Sequence, residues 1–204
     1  MKSTPIKPLF IVFEGLDGSG KSTLARLVAE KLNATLLTTP TSSVRKYRED
    51  LVASFDGNQE AAQFFYLATV FDASARAAKL LAAGRSVVID RYFLSTQAYA
   101  AFRGSRLDID AVQELLLPAD LTIFLDVPLK VRAARLTTRE TSAADLETLN
   151  AEAQTELRNQ HLVRAGLDVV GELLHLEDSN STPDQLAEVV FRAIASLRHV
   201  EPQA

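Results

Sequence analysis

The chain has 204 residues, of which 47% are hydrophobic and 24% are charged, and its formal net charge at pH 7 is −4. This length fits one globular domain with a full core, and the acidic balance argues against a protein that coats nucleic acid. The absence of cysteine excludes disulfide bonds, thiolate metal sites and a cysteine nucleophile.

Signals for membrane insertion or secretion are not visible in the sequence. No segment approaches 18 consecutive apolar residues, and the first residues, Met1 to Pro8, lack an apolar h-region. We therefore expect a cytoplasmic protein with neither a membrane partner nor a nucleic-acid partner, built as a single domain over residues 1–204.

Five short apolar runs alternate with helical patterns, an order typical of a parallel sheet wrapped by helices. The runs are Leu9–Phe13, Thr35–Leu37, Ser86–Ile89, Leu121–Leu125 and Leu173–Leu176. Several of them are followed at once by polar residues, which should converge because ligands bind at the carboxyl ends of such strands. The sequence predicts an α/β fold with a five-stranded parallel sheet and helices on both faces.

The first apolar run leads directly into a phosphate-binding loop. Residues 15–22 read Gly-Leu-Asp-Gly-Ser-Gly-Lys-Ser and fit G-x-x-x-x-G-K-[ST] without a mismatch. From residue 22 onward the apolar spacing predicts a helix, so strand, glycine loop and helix follow in the order that this motif requires. The sequence therefore predicts a nucleoside triphosphate site that also binds Mg²⁺.

Residues of this loop have separate tasks. Gly15, Gly18 and Gly20 let the backbone N–H groups turn toward a polyphosphate at a helix N-terminus. Lys21 adds a positive charge near the β and γ oxygens, and Ser22 supplies a hydroxyl for magnesium. The predicted triphosphate-binding residues of the loop are Gly15, Asp17, Gly18, Ser19, Gly20, Lys21, Ser22 and Thr23.

Two later helices have recognisable ends. A helical pattern runs from about Gln59 to Ala83, with Gly84 as the expected C-terminal cap. The last helix opens with Thr182-Pro183-Asp184-Gln185, which has the spacing of a capping box.

A second motif follows the third apolar run and reads Asp90-Arg91-Tyr92-Phe93-Leu94-Ser95-Thr96-Gln97-Ala98-Tyr99. Together with the segment from Glu14 to Thr23, this motif resembles the thymidylate-kinase-like nucleoside monophosphate kinases over about residues 9–195. The base-reading Asn-Lys-x-Asp of GTPases and the LSGGQ signature of ABC proteins are both absent. The resemblance implies a three-layer P-loop kinase fold with a short helical lid at about residues 132–150. It also implies phosphoryl transfer from MgATP to a nucleoside monophosphate.

The resemblance also implies roles for individual residues. Asp17 matches the P-loop carboxylate that holds the acceptor region and its magnesium waters. Arg91 matches the arginine that bridges the acceptor and donor phosphates, a task suited to a bidentate guanidinium. Asp90 sits where a carboxylate reaches magnesium through water, so Ser22 and Asp90 form the expected metal set.

In the region from residue 132 to 166, three arginines precede a polar, alanine-rich helical pattern. Arg132, Arg135 and Arg139 are three and four residues apart, which places them on one helical face. A cationic face beside a phosphate site suits phosphoryl transfer, because the charge on the transferred group must be neutralised. Arg135 and Arg139 match the family's mobile lid, and Arg135 is expected to supply the transition-state cation. The expected catalytic set is Asp17, Lys21, Arg91 and Arg135.

The acceptor-base site departs from the pattern of true thymidylate kinases. Thr69 occupies the position of the family arginine that reads the thymine edge, and Ala100 that of a glutamine. Phe65 is a candidate base-stacking ring, and Tyr99 a ring under the sugar. The expected acceptor-binding residues are Asp17, Arg48, Phe65, Thr69, Asp72, Arg91, Ser95 and Tyr99.

These departures are similar to the mitochondrial UMP/CMP-kinase branch of the superfamily. That branch also has a small residue in place of the base-reading arginine, and a Pro-x-Ser stretch that ends in an aromatic–arginine pair, like Pro40 to Tyr47-Arg48 here. Arg48 is then expected to bind the acceptor phosphate, and Asp72 to accept a hydrogen bond from the amino group of cytosine. A pyrimidine acceptor is favoured, among dTMP, dUMP, dCMP, CMP and UMP.

The sequence leaves two other functions open. The altered base site allows a kinase that acts on a nucleoside or a modified nucleotide. The P-loop alone also allows a non-catalytic nucleotide-binding module. Relatives form two-fold dimers through long helices, and the apolar segment Ala61–Leu81 could serve in this way, so a homodimer is expected.

Overall fold

The computed structural model describes residues 7–137, 146–178 and 180–200. Its strands are β1 (Phe10–Glu14), β2 (Thr35–Thr38), β3 (Val87–Asp90), β4 (Leu121–Asp126) and β5 (Glu172–Glu177). They form one parallel sheet in the order β2-β3-β1-β4-β5. The predicted five-stranded parallel sheet is confirmed, with each strand boundary within one residue of its apolar run.

Helices surround this sheet. They are α1 (Lys21–Leu32), α2 (Ser42–Arg45), α3 (Arg48–Ala53), α4 (Gln59–Ala82), α5 (Phe93–Phe102), α6 (Leu129–Leu136), α7 (Ala151–Leu162) and α8 (Pro183–Val200). The described ranges also contain two 3₁₀ turns, η1 (Asp110–Leu115) and η2 (Asp168–Val170), and residues 146–147 are helical. No helix within these ranges has the length and apolar character needed to cross a membrane.

The central strand β1 is buried along its whole length, which explains its uninterrupted apolar run. Ile11 and Phe13 pack on one face of the sheet with residues of α1 and α8. Phe10 and Val12 pack on the other face with residues of α4 and α5. The sheet thus lies between two helical layers, which confirms the three-layer fold.

Both helix ends marked in the sequence have the expected chemistry. After α4, Gly84 adopts a φ of 75° and its N–H donates to the Leu81 carbonyl, while the Arg85 N–H donates to the Leu80 carbonyl. This pair of bonds is a Schellman motif. At α8, the Gln185 N–H donates to the Thr182 hydroxyl, and the Gln185 side chain accepts from the Thr182 N–H at 2.8 Å, which is a capping box.

One region differs from the sequence prediction. The short helices α2 and α3 were not predicted, because each is too brief to show a period. Further along the chain, Arg132 and Arg135 lie on α6, and the side chain of Asn150 caps α7 by accepting from the Ala153 N–H. Residues 138–145, which include Arg139 and part of the expected lid, lie outside the described residues.

Candidate active site

A cavity of about 1170 Å³ opens at the carboxyl ends of β1, β2 and β3. Asp17, Thr39 and Asp90, which end or follow these three strands, lie in its wall beside Lys21 and Ser22 of α1. Residues of α3 and α4 line it as well. The cavity is therefore at the sheet edge where the sequence predicted the ligand site.

The P-loop at this edge has a shape that only glycine permits. Gly15 and Gly18 have φ values of 140° and 79°. A Cβ at Gly15 would lie 2.6 Å from the Leu125 carbonyl oxygen, and one at Gly18 would lie 2.9 Å from the Arg132 carbonyl oxygen. Glycine at both positions lets the loop fold tightly over the ends of β4 and α6.

Two features of this loop suit a bound polyphosphate. The N-terminus of α1 has no side-chain cap and no acidic residue in its first turn. The Ser19 hydroxyl is buried and has no hydrogen-bond partner among the described residues. Since free N–H groups at a helix N-terminus attract anions, the loop fits the phosphates of ATP.

Lys21 is buried, and its surroundings weaken its charged form. Its ammonium donates to the Leu16 carbonyl at 3.2 Å and lies 3.7 Å from Asp17. Burial, with the nearby Arg91 charge, lowers the pKa of Lys21 to about 8, although Asp17 and Asp90 oppose this shift. A bound polyphosphate would favour the charged ammonium.

Asp17 connects the P-loop to the motif after β3. Its carboxylate accepts hydrogen bonds from Arg91 Nη2 and, at 2.7 Å, from the Tyr99 hydroxyl. Burial alone would raise the pKa of Asp17, but the charges of Arg91 and Lys21 outweigh it and hold that pKa well below its usual range. Burial also raises the pKa of Tyr99 to about 12. This cluster therefore contains an ionised carboxylate and a neutral phenol at neutral pH.

The backbone holds Arg91 in an unusual conformation. Its φ is 69°, a region that costs free energy for a residue with a Cβ. The Arg91 N–H donates to the Phe13 carbonyl of β1 at 2.9 Å, and the Arg91 carbonyl accepts from the Thr39 hydroxyl at 2.8 Å. The main chain of this arginine is thus fixed between the ends of β1 and β2.

The two expected magnesium residues both lie in the cavity wall. Ser22 is an exposed residue in the first turn of α1, and Asp90 is the last residue of β3. Asp90 Oδ1 is buried with no hydrogen-bond partner among the described residues. A hydroxyl and a carboxylate with a free oxygen are oxygen ligands of the type that Mg²⁺ prefers, directly or through water.

Two arginines of α6 reach the P-loop, but only one of them is exposed. Arg132 is fully buried, and its Nε donates to the Asp17 carbonyl at 2.7 Å. Arg135 is partly exposed, its Nη1 donates to the Ser19 carbonyl at 2.6 Å, and its Nη2 lies 3.9 Å from Asp178. The prediction that Arg132 belongs to a cationic face beside the phosphates is therefore wrong, because its side chain is fully buried.

Most of the expected acceptor residues also line the cavity, namely Asp17, Arg48, Thr69, Arg91, Ser95 and Tyr99. Thr69 is buried, and its hydroxyl donates to the Tyr66 carbonyl at 2.7 Å. Arg48 pairs with Glu49 at 3.2 Å on α3. The Ser95 hydroxyl accepts from Arg91 Nη1 at 3.0 Å.

Phe65 and Asp72 are not among the residues that line the cavity. Phe65 packs between Phe55 and Tyr66, and Tyr66 is the ring that lines the cavity. Asp72 is half-exposed and pairs with Arg76 at 2.9 Å, one turn further along α4. The base-stacking role of Phe65 and the cytosine-binding role of Asp72 therefore stay predictions, which the lining of this cavity does not support.

The structure adds residues that the sequence did not single out. Gln63 is buried in the cavity wall, where its amide donates to Gln97 at 2.6 Å. Arg103 and Glu147 also line the cavity and form an ion pair that joins the end of α5 to the segment before α7. The sequence could have indicated Gln63, because it is a polar residue at a buried position of α4. It gave no sign of the Arg103–Glu147 pair, since the two residues are distant in sequence.

A second group of potential metal ligands lies at the ends of β4 and β5, where Asp126, His175 and Glu177 approach one another. Arg158 Nε donates to Asp126 at 2.5 Å, and its Nη2 donates to Glu177 at 3.3 Å. The guanidinium thus pairs with both carboxylates and offsets one of their two negative charges.

The site combines a P-loop, an Asp-Arg pair on the next strand and a wide cavity beside them, an arrangement that defines a P-loop phosphotransferase. Comparison with known proteins makes the class more specific. The family model described as thymidylate kinase matches residues 13–171. The chain belongs to the thymidylate kinase family of nucleoside monophosphate kinases, and it is an enzyme of that class.

Individual relatives support this assignment. The chain is 31% identical to a thymidylate kinase of Rhodopseudomonas palustris, over 95% of this chain and 90% of the relative. It is 34% identical to one from Ruegeria pomeroyi, over 91% of this chain and 94% of the relative. A probable thymidylate kinase of Methanococcus maripaludis is 35% identical, over 64% of this chain and 66% of the relative.

Solved structures show the same fold. The thymidylate kinase of Candida albicans superposes with a TM-score of 0.71 at 21% identity, covering 96% of this chain and 94% of that one. The thymidylate kinase of Ehrlichia chaffeensis gives a TM-score of 0.68 at 22% identity, covering 93% of this chain and 100% of that one.

Proposed function

We propose that the protein transfers the γ-phosphoryl group of ATP to a pyrimidine nucleoside monophosphate. The observation that carries this proposal is the cluster of Asp17, Arg91 and Tyr99, which joins the P-loop to the wall of the wide cavity. A site that only hydrolysed a triphosphate would need neither a cavity that extends from the P-loop to α3 and α4 nor an arginine in its wall beside the P-loop.

The proposed step is an in-line displacement. An oxygen of the acceptor phosphate attacks the γ-phosphorus, and the bond from that phosphorus to the β–γ bridging oxygen breaks, which leaves ADP. Negative charge spreads over the transferred group and the leaving oxygen. We assign the neutralisation of this charge to Lys21, Arg91 and Arg135. Ser22 and, through water, Asp90 would hold magnesium, which would supply further positive charge to the phosphates.

Asp17 has a different task in this proposal. It is the counter-ion that keeps Arg91 extended toward the phosphates while the acceptor is absent. Among the described residues, the contacts of Arg91 with Asp17, Ser95 and Tyr99 use at most three of its five N–H groups, so the other two can reach phosphate oxygens. This supports a bidentate bridge between acceptor and donor.

Among pyrimidine acceptors we propose dTMP as the first substrate to test, with dUMP, dCMP, CMP and UMP as further acceptors. Thr69 in place of a base-reading arginine supports the broader set and the similarity to the UMP/CMP-kinase branch. Arg48, in the cavity wall, is the proposed ligand of the acceptor phosphate. The hydroxyl of Thr69 donates to the Tyr66 carbonyl, so toward a base it offers lone pairs and accepts a hydrogen bond.

Several wider predictions of the resemblance belong with this proposal. They are one catalytic domain with a lid at about residues 132–150 that includes Arg139, a homodimer, a cytoplasmic location, and MgATP as donor. The ion pair between Arg103 and Glu147 supports the lid, because it connects the acceptor side of the cavity to the expected lid root.

The test is an acceptor panel. Purified protein with MgATP is assayed for ADP release on the five monophosphates and on the matching nucleosides, in parallel with the Thr69→Arg variant. Turnover on monophosphates, with a higher ratio of dTMP to CMP activity in Thr69→Arg, supports the proposal. Turnover on nucleosides alone contradicts it, as does ATP binding without turnover on any acceptor.

A further inference from the structure

Glu14, the last residue of β1, is a carboxylate that the proposed reaction does not use. It is fully buried, at 0% exposure, and it is not among the residues that line the cavity. Burying a carboxylate costs free energy unless several hydrogen bonds compensate. A neutral residue would avoid this cost, so the contacts of Glu14 need a functional reason.

Among the described residues, Glu14 accepts side-chain hydrogen bonds from Tyr92 and Ser95 at the start of α5. Glu14 Oε1 accepts from the Tyr92 N–H at 3.0 Å and from the Ser95 N–H at 3.2 Å, and Oε2 accepts from the Ser95 hydroxyl. The first turn of α5 has no acidic residue of its own and no side-chain cap. Burial raises the pKa of Glu14, but the hydrogen bonds from Ser95 and Tyr92 and the charge of Arg91 favour its ionised form, which supplies from another strand the negative charge that favours this helix N-terminus.

The Ser95 hydroxyl links Glu14 to Arg91. A hydroxyl has one proton, and here that proton is donated to Glu14, so its lone pairs are left to accept from Arg91 Nη1 at 3.0 Å. The carboxylate thus fixes the direction of the hydroxyl, and the hydroxyl fixes one edge of the guanidinium. The other edge is held by Asp17.

We propose that Glu14 is a positioning residue that orients the Arg91 guanidinium through the Ser95 hydroxyl. This inference rests on the proposed function, because it concerns the arginine assigned there to the phosphates. It also gives Ser95, expected from the sequence as an acceptor ligand, a role in holding Arg91.

The experiment compares Glu14→Gln, Ser95→Ala and the double variant, with MgATP and dTMP as substrates. Ser95→Ala removes the acceptor of Arg91 Nη1. Glu14→Gln keeps the shape of the side chain but removes its charge and places an amide donor toward the hydroxyl. We expect each single variant to lower kcat by about 10- to 100-fold with KM values within about threefold, because misplacing a reacting group costs rate more than binding. The double variant should be no slower than the slower single variant, since both changes break the same link.

A matched control separates positioning from stability. Thr122 on β4 is buried, and its hydroxyl donates to the Val170 carbonyl at 2.6 Å. Thr122→Val removes a buried hydrogen bond away from the site, so it should lower the melting temperature and leave kcat within about twofold. If the Glu14→Gln protein does not fold, the comparison of Ser95→Ala with Thr122→Val decides the matter.

Two results would overturn the inference. One is a kcat of the Glu14 and Ser95 variants that matches the Thr122 control at equal loss of melting temperature. The other is a double variant whose kcat loss is the product of the single losses, which would mean independent actions. The kcat of Arg91→Ala tests the proposed function separately from the positioning role. If Arg91→Ala has a low kcat while the Glu14 and Ser95 variants keep the parental kcat, only the positioning role is overturned. If Arg91→Ala keeps the parental kcat, the proposed function is overturned as well.

Discussion

Arg91 and Asp17 come from the ends of two neighbouring strands, and their side chains meet at the cavity, where Arg91 Nη2 donates to Asp17 Oδ1. Burial alone would lower the pKa of Arg91, but the charge of Asp17 and the nearby Tyr99 raise it above its ordinary value. The same contact keeps the pKa of Asp17 low. The pair therefore stays charged, and it stands between the P-loop and the acceptor side.

Arg91→Ala should lower kcat with dTMP by at least about 100-fold, because a preorganised cation at the transferred phosphoryl group is lost. Arg91→Lys should recover only a small part of this loss, since an ammonium cannot make two parallel hydrogen bonds. Steady-state ADP release measures both variants. Near-normal turnover of Arg91→Ala would refute the assigned role.

Arg135 is the second cation to test. Arg135→Ala should lower kcat by about 100-fold or more while ATP still binds, because its charge is needed most when the phosphoryl group is in transfer. The control is Arg85→Ala, an exposed arginine just before β3 at the opposite edge of the sheet. If both variants turn over at the parental rate, Arg135 does not supply the transition-state cation.

Lys21 predicts a pH dependence of ATP use. In the free protein the pKa of Lys21 is lowered to about 8, so its side chain carries a positive charge below that pH and becomes a neutral amine above it. The kcat/KM for ATP, which reports the free enzyme, should be level below about pH 8 and should fall up to tenfold per unit above it. The kcat at saturating ATP should break at a higher pH, because bound phosphates favour the charged form. A kcat/KM that is flat to pH 9 would contradict this.

His161 predicts a pH dependence of stability. It is buried on α7, with Nδ1 2.7 Å from the Leu157 carbonyl oxygen, and burial lowers its pKa to about 4. Between about pH 4 and the ordinary value of 6.5, the unfolded chain binds a proton that the folded protein does not. The free energy of unfolding should therefore fall as pH drops through this window, by up to about 1.4 kcal/mol per unit.

Urea unfolding of the parent and of His161→Leu at several pH values measures this contribution. Other groups titrate in both proteins, so the difference between their free energies of unfolding isolates His161. The parent should lose stability relative to the variant as the pH falls from about 6.5 to 4. Two curves that stay parallel would contradict the prediction.

The sequence was most informative where function depends on the order of residues along the chain. The P-loop and the Asp90–Arg91 pair could be placed because each follows a buried strand directly, and parallel strands bring their carboxyl ends to one edge. Contacts between distant elements could not be read in this way. Glu14 directly follows the first apolar run, but its bonds to Ser95 cross 81 residues of chain, which the sequence alone does not show.

Positions on α4 show the same limit on a smaller scale. Neighbouring helical residues differ in direction by about 100°, so an alignment cannot decide which of two adjacent aromatic rings faces a cavity. Tyr66 lines the cavity, and Phe65 packs beside it against Phe55. Asp72 was read as a base partner, but the nearest opposite charge, Arg76, engages it first.

The central claim is that the phosphoryl group goes to a nucleoside monophosphate and not to water. Its most direct test is the product balance of the purified protein with MgATP and dTMP, measured by chromatography of all nucleotides and by a phosphate assay. We predict one ADP and one dTDP per turnover with little inorganic phosphate. ADP with an equal amount of inorganic phosphate and no dTDP would contradict the claim.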